Sequence, residues 1–258
     1  MSDALLTVEN LSKSYQGVKA VQGVSLAVAP GELLAMIGPN GAGKSSCFNM
    51  LNGQIKPDTG RIRICGKDTT GLSPERISRL GVGRTFQVAE TFLSMTVREN
   101  VQLAIQSARH GTLSLQSFFG NLGRKSAAEA DDILDLIGLL GEAGRSCREL
   151  PYGDIKRLEL AIALAGDPKL LLMDEPAAGM ATRERMLLMR LTSRIAKERQ
   201  LAVLFTEHDM DIVFEHADRI IVLNRGQVIA EGPPVDVRMN ADVQAVYLGS
   251  GALYKQEH

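Results

Sequence analysis

The 258 residues amount to one large domain or two small ones, at roughly 150 residues per domain. Hydrophobic residues make up 45% and charged residues 23%, and 29 Lys and Arg stand against 30 Asp and Glu for a net charge of −1. That balance excludes a basic domain with a general attraction to nucleic acid or anionic lipid. Trp is absent and aromatics are only 4%, so aliphatic side chains must build the core.

In chain order, residues 5–8 alternate weakly and residues 18–28 are β-rich. Pro30-Gly31 signals a turn. Residues 33–37, Leu-Leu-Ala-Met-Ile, form a short continuous apolar run, the pattern of a strand covered on both faces. It runs straight into a glycine-rich loop, and a helix over 44–52 and a strand over 60–65 follow. From 96 to about 165 the periodicity is helical. Val97, Val101, Ala104 and Ile105 share one face, and Ile133, Leu134, Ile137, Leu140 and Ala143 share another. Between them, 111–123 is rich in Gly and Ser and reads as a loop or a short extra element. Phe118 and Phe119 within it are expected to be buried under the helices rather than exposed at a partner contact.

The last third returns to α/β. Residues 170–173 read as a buried strand, 182–199 as a helix with apolar Met186, Leu187, Met189, Leu191 and Ile195, and 201–205 as another buried strand. Residues 220–223 and 227–230 pair as a hairpin around Asn224-Arg225-Gly226. The order describes an α/β nucleotide-binding core interrupted by a helical subdomain. Cys47, Cys65 and Cys147 are far apart, with no Cys/His cluster, and read as three small buried side chains in a reducing compartment. The first ten residues lack the basic and apolar regions of a signal peptide. The most apolar stretches, 158–166 and 170–173, fall far short of the roughly 20 residues that span a bilayer. A soluble, cytoplasmic protein is expected, with any membrane role exercised through a partner.

Gly38, Pro39, Asn40, Gly41, Ala42, Gly43, Lys44 and Ser45 match G-x-x-x-x-G-K-[ST]. Glycines let the backbone curl so that its N–H groups face phosphates, and the helix that starts here adds its positive end. Lys44 is placed to bridge β- and γ-phosphate, and the Ser45 hydroxyl to bind Mg²⁺. The dinucleotide fingerprint fails, because its third glycine position is Ser46. The strand over 170–173 leads into Asp174-Glu175-Pro176. A carboxylate at that tip is a candidate Mg²⁺ ligand, and Glu175 beside it a candidate general base. A solvated acidic loop is the alternative, and the phosphate loop upstream favours the catalytic reading. His208, just past the next core strand, lies where a γ-phosphate would be. Gln87 sits at the joint between core and helical insertion, where a ligand sensor can move.

The order of the phosphate loop, Gln87, Leu150-Pro151-Tyr152-Gly153-Asp154, Asp174-Glu175 and His208 resembles the ATP-binding subunit of ABC transporters over nearly the whole chain. The resemblance implies a P-loop NTPase (ABC ATPase) fold of class α/β, with an antiparallel β subdomain and an inserted α-helical subdomain. Residues 1–258 would be a single ATP-binding domain, with 1–87 and 166–258 as the nucleotide-binding core and 88–165 as the helical signature subdomain. It further implies that Tyr15 stacks on adenine and that Gly38 through Ser46 hold ATP. Gln87, Ser45 and Asp174 would serve Mg²⁺, and His208 would contact the γ-phosphate. Leu150, Pro151, Tyr152, Gly153 and Asp154 would be the signature loop, completing the ATP site of a second ATP-binding subunit in a head-to-tail dimer.

Arg84-Thr85-Phe86-Gln87, Tyr152-Gly153-Asp154, the run from Glu175 to Met180, and the ending Val243 to Gly249 resemble the larger ATPase subunit of branched-chain (hydrophobic) amino-acid importers. That branch implies two transmembrane permease subunits, an extracytoplasmic substrate-binding protein, and a place on the inner face of the cell membrane, with no nucleic-acid partner. Two features depart from the family pattern. The signature carries Pro151 where Ser is usual, and the loop after the acidic pair ends in Ala181 where Asp is usual. Asp154 adds a charge that Lys156 and Arg157 can offset. A heterodimer with one stronger ATP site is therefore favoured over a homodimer. The rival readings are an ATPase subunit of a lipid or polysaccharide exporter, and a soluble ABC-type ATPase acting on DNA or ribosomes. The branch motifs weigh against the first. The single cassette and the lack of basic excess weigh against the second.

Overall fold

A computed structural model of the chain describes residues 4–85, 91–110 and 121–248. Strands β1 (Leu6–Tyr15), β2 (Val18–Val28), β4 (Thr59–Ile64) and β5 (Lys67–Asp68) form an antiparallel sheet in the order β2-β1-β4-β5. Strands β3 (Leu33–Ile37), β6 (Val82–Thr85), β7 (Leu170–Asp174), β8 (Ala202–Thr206), β9 (Arg219–Asn224) and β10 (Gln227–Gly232) form the second sheet, in the order β10-β9-β3-β8-β7-β6. This sheet is parallel except at β10, which pairs antiparallel with β9.

The apolar runs dictate the central strands. Successive residues of a strand point to opposite faces, so a strand apolar at every position must be covered twice. Leu33, Ala35 and Ile37 enter one core with Leu171, Met173, Val203 and Phe205. Leu34 and Met36 enter a second with Leu170, Leu172 and Leu204. Helices cover the first. The antiparallel sheet and α1 (Lys44–Leu51) cover the second, α1 contributing Cys47, Phe48, Met50 and Leu51. The ends of β3, β7 and β8 consequently lie side by side at one edge, where open α/β sheets bind ligands.

After α2 (Pro74–Ser78) and β6, the described chain is helical up to β7. It runs through α3 (Val97–His110), α4 (Asn121–Leu136), two short 3₁₀ turns (Leu140–Glu142 and Cys147–Glu149) and α5 (Tyr152–Leu164). Val97, Val101 and Ile105 are buried as their spacing predicts, with Ala104 at the edge of that face. Leu140 departs from its expected face and is 40% exposed. The helix has ended at Leu136, and the 3₁₀ turn rotates Leu140 outward while Leu139 takes the buried place. α4 starts at Asn121 and so takes residues 121–123 from the expected loop. Phe118 and Phe119 lie outside the described residues.

Beyond β7 come α6 (Thr182–Arg199), α7 (Met210–His216), α8 (Pro234–Met239) and α9 (Ala241–Leu248). α6 has the expected span, but Leu187 is 54% exposed and Leu188 is buried with Met189 instead. The hairpin turn takes positive φ at Arg225 (48°) and Gly226 (80°), which suits the twist of the flanking strands. β1 runs well past the expected 5–8, because a register shift beside Asn10 (φ 49°) breaks the alternation that the sequence shows. Cys47 and Cys147 are buried but Cys65 is exposed, at a turn position with φ 50°, against the expectation for all three. No helix among the described residues is long and apolar enough to cross a membrane.

Candidate nucleotide site

The chain leaves β3 at Ile37 and turns at once through Gly38. Gly38 has φ +151°, and a Cβ there would lie 2.2 Å from the Leu223 carbonyl oxygen. Gly43 precedes α1 with φ +104°, and its Cβ would lie 2.4 Å from the Ala20 oxygen. Both positions require glycine. The loop is tied to the β9–β10 turn: the Gly226 N–H donates to the Ala42 oxygen at 2.9 Å, and the Gln22 N–H donates to the Gly226 oxygen at 2.8 Å. α1 carries no acidic side chain in its first turn. Its first-turn N–H groups lack intrahelical partners and its dipole favours an anion there.

Lys44 is only 8% exposed, and its Nζ donates to the oxygens of Gly38 (2.6 Å) and Pro39 (3.2 Å). Burial holds its pKa below the usual lysine value, and the charges of Glu175 and Asp174 oppose that fall. Phosphate loop and carboxylates thus share one electrostatic environment.

Asp174 and Thr206 face each other across β7 and β8. The Thr206 hydroxyl donates to Asp174 Oδ1 at 2.7 Å and accepts from the Glu175 N–H at 3.0 Å. The Glu175 N–H also donates to the Thr206 carbonyl at 3.2 Å. Glu175 adopts φ +49°, a left-handed conformation that costs a non-glycine residue roughly 1–3 kcal/mol. This turn brings its Oε1 to 2.7 Å from His208 Nε2, which donates the hydrogen bond. Two residues that the sequence reading passed over hold the arrangement. Thr206 is the first. Glu207 is the second: it is 5% exposed and accepts from the Ala177 N–H (2.9 Å) and the His208 N–H (3.3 Å). Burial raises the Glu207 pKa, and those two N–H groups oppose the rise. A Thr and a Glu directly after an apolar strand were the available signal.

Gly38, Lys44, Asp174, Glu175 and His208 are therefore brought together. The signature residues are not. Among the described residues, no hydrogen bond joins 150–154 to 38–46. Leu150 is buried, and Pro151 sits at the N-cap of α5. The Tyr152 hydroxyl donates to the Ala178 oxygen at 3.0 Å, and Lys156 Nζ lies 5.6 Å from the Tyr152 ring centre. Arg157 pairs with Asp154, whereas Lys156 pairs with buried Glu159 at 3.2 Å, so Arg157 provides the direct ion pair that offsets the Asp154 charge. Glu184 from α6 packs against Gly153. Tyr15 is 41% exposed and pairs with Val18 on β2, two residues from Ala20, which abuts Gly43. Gln87 lies outside the described residues.

The residues fit a nucleotide polyphosphate with a hard cation. The loop is a cradle that Cβ atoms at positions 38 and 43 would block, and Lys44 is buried beside two carboxylates. The oxygen donors, Ser45 on α1 and Asp174 on β7, belong to elements that touch each other. Glu175, hydrogen-bonded to His208, can accept a proton from an attacking water.

The site and fold define a P-loop ATPase. A family model described as ABC transporter matches residues 21–178, and one described as branched-chain amino acid ATP-binding cassette transporter matches residues 227–252. The chain belongs to the ABC transporter ATPase family. It is 40% identical over 257 residues to the high-affinity branched-chain amino acid transport ATP-binding protein LivG of Escherichia coli (strain K12), covering 96% of this chain and 99% of that one. The crystal structure of an ABC transporter ATP-binding cassette in its ADP conformation superposes with a TM-score of 0.84 at 33% identity, covering 95% of this chain and 99% of that one. A dimeric ATP-binding cassette in a post-hydrolysis state, bound to ADP and Pi, superposes with a TM-score of 0.74 at 25% identity, covering 89% and 98%.

Proposed function

We propose that this chain is the ATP-hydrolysing subunit of an importer for branched-chain or other hydrophobic amino acids. The observation that carries the chemistry is the 2.7 Å contact between Glu175 and His208, at the ends of adjacent parallel strands and beside the phosphate loop. Residues 38–46 hold the ATP phosphates, with Lys44 on the β- and γ-phosphates. Ser45 and Asp174 would hold Mg²⁺, with Gln87 as a further ligand, and the ion would supply neutralisation of the phosphate charge. Glu175 takes the proton of the attacking water, and His208 keeps its carboxylate oriented. Tyr15 stacks on adenine.

The separation of 150–154 from this chain's own phosphate loop supports a sandwich. The signature loop of each subunit closes the site of the other, and the dimeric relative supports the same reading. Pro151 and Ala181 favour a second, different ATP-binding subunit as partner. Residues 1–87 and 166–258 act as the core and 88–165 as the signature subdomain. The subunit sits on the inner face of the membrane through two permease subunits, and a substrate-binding protein delivers the amino acid. The likeness to a branched-chain amino acid transport protein supports import over export. Purifying the complex from its native cell tests this. Recovery with two membrane subunits, and leucine, isoleucine or valine bound to its substrate-binding protein, is the expected result. Recovery without membrane subunits, or with a lipid-exporting permease, would contradict it.

A further inference from the structure

The loop between β7 and α6 carries no polar side chain from Ala177 to Ala181, where the run is Ala-Ala-Gly-Met-Ala. These residues cannot tie the loop down through their own side chains, so its backbone groups are held from elsewhere. The Ala177 N–H donates to Glu207, and the Ala178 oxygen accepts from the Tyr152 hydroxyl. The Met180 oxygen accepts from Arg185 Nε of α6 at 2.9 Å. The same guanidinium donates through Nη1 to Asp209 Oδ2 at 2.7 Å, and both side chains of this ion pair are partly buried.

Asp209 directly follows His208 and uses both of its carboxylate oxygens. Oδ1 accepts from the Asp211 N–H at 3.1 Å and caps α7, while Oδ2 accepts from Arg185. Residues 206–209 thus each grip the segment from 174 to 185. Thr206 holds Asp174 and Glu175, Glu207 holds Ala177, His208 holds Glu175, and Asp209 holds Arg185. Arg185 closes the far end of this series, and it grips both loops at once. A guanidinium presents its donors in a rigid planar fork, so it fixes the separation of the two acceptors it joins. Those acceptors belong to the loop that begins with Glu175 and to the residue next to His208.

We infer that Arg185 is a positioning residue for hydrolysis: by clamping the Met180 oxygen to the Asp209 carboxylate, it holds the two loops at the separation that keeps Glu175 against His208. The inference rests on the reading of Glu175 and His208 given above and extends that pair to the first turn of α6. Neither the phosphate-loop pattern nor the carboxylate–histidine set contains this residue. No hydrogen bond among the described residues joins Arg185 to residues 38–46, so its removal acts on turnover and not on ATP affinity.

The test is turnover of the full chain at saturating Mg-ATP, measured well below the melting temperature of each variant, with affinity from isothermal titration on the same samples. Arg185→Met keeps most of the stem and loses the donors. It should lower turnover about tenfold, the low end of the effect of a hydrogen bond to a charged group, with affinity near wild type. Asp209→Asn keeps the cap on α7, since Asn caps as well as Asp, and removes the oxygen that Arg185 meets. It should show a similar loss, and the double variant should lose little more than Arg185→Met alone. Arg190→Met removes a different α6–α7 ion pair, to Glu215, and should keep wild-type turnover. Wild-type turnover in Arg185→Met overturns the inference. So does a matching loss of ATP affinity, losses that multiply in the double variant, or an equal loss in Arg190→Met. Near wild-type turnover in Glu175→Gln would instead overturn the reading of the pair on which the inference rests.

Discussion

Glu175 turns the chain into the left-handed region one residue past β7, and two hydrogen bonds to Thr206 hold it there. The turn aims its carboxylate at His208 rather than along the strand. Lys44 is buried and is held by two loop oxygens, which phosphate oxygens would replace in the proposed complex. Lys44→Ala should cut ATP affinity roughly tenfold or more, because a hydrogen bond to a charged group contributes about 1.5–3 kcal/mol. Titration with Mg-ATP measures it, and unchanged affinity would remove Lys44 from the site. A second residue-scale prediction concerns pH. Burial lowers the pKa of His216 from its ordinary 6.5; Glu215 opposes and Arg190 assists the fall. A base with a depressed folded pKa favours folding above 6.5, and that contribution is lost as pH falls toward the folded value. His216→Gln should therefore flatten the decline in melting temperature between neutral pH and about pH 5. A decline as steep as in wild type would assign the acid sensitivity elsewhere.

At the scale of elements, the start of α6 shows what the unusual Ala181 does. It occupies the N-cap, where no side chain accepts from the first turn. Ala181→Asp should stabilise the chain by about 0.5–2 kcal/mol, the range for N-cap exchange, read as a rise in melting temperature. A fall would mean that the added charge beside Glu184 outweighs the cap. The segment before α3 presents apolar side chains outward. Phe92 is 55% and Leu93 47% exposed, and buried Asn100 pins the Phe92 backbone through its N–H (2.8 Å) and its carbonyl (3.1 Å). An apolar pair presented on a pinned backbone suits a groove that receives a short amphipathic helix from a permease. Phe92→Asp should leave ATP binding and melting temperature near wild type but uncouple hydrolysis from uptake in reconstituted vesicles. Normal uptake would exclude the docking site.

What the sequence revealed at this scale depended on how local the signal was. Apolar runs bounded by glycine or acidic residues located β3, β7 and the start of β8 closely, because a strand buried on both faces writes its burial at every position. The phosphate loop and Asp174-Glu175 were legible for the same reason: each is contiguous and follows such a strand. Leu140 and Leu187 were misplaced because their exposure is decided where a helix ends and how it packs, not by spacing alone. Thr206 and Glu207 were not identified as parts of the site. Their contacts to Asp174 and Ala177 join residues 30 or more positions apart, and only the sheet order brings those together.

For the whole molecule, the two halves of the proposed chemistry face different ways. The phosphate loop, carboxylates and His208 converge at one edge of the parallel sheet. The signature loop leans instead on Ala178 and Glu184 of its own chain. In the proposed sandwich, Tyr152 would tie the surface offered to a partner's ATP to the loop that follows this chain's own Glu175. Closure of such a dimer would be felt at both sites, and Pro151 and Ala181 would fall on the half proposed to serve the partner. The claim on which this rests is that Glu175 is the base of an ATPase. It is tested most directly by turnover of Mg-ATP in purified wild-type chain and Glu175→Gln, with ATP affinity measured on both. The account predicts retained affinity, a loss of turnover of roughly 10²-fold or more, and an ATP-bound dimer that accumulates. Near wild-type turnover in Glu175→Gln would contradict it.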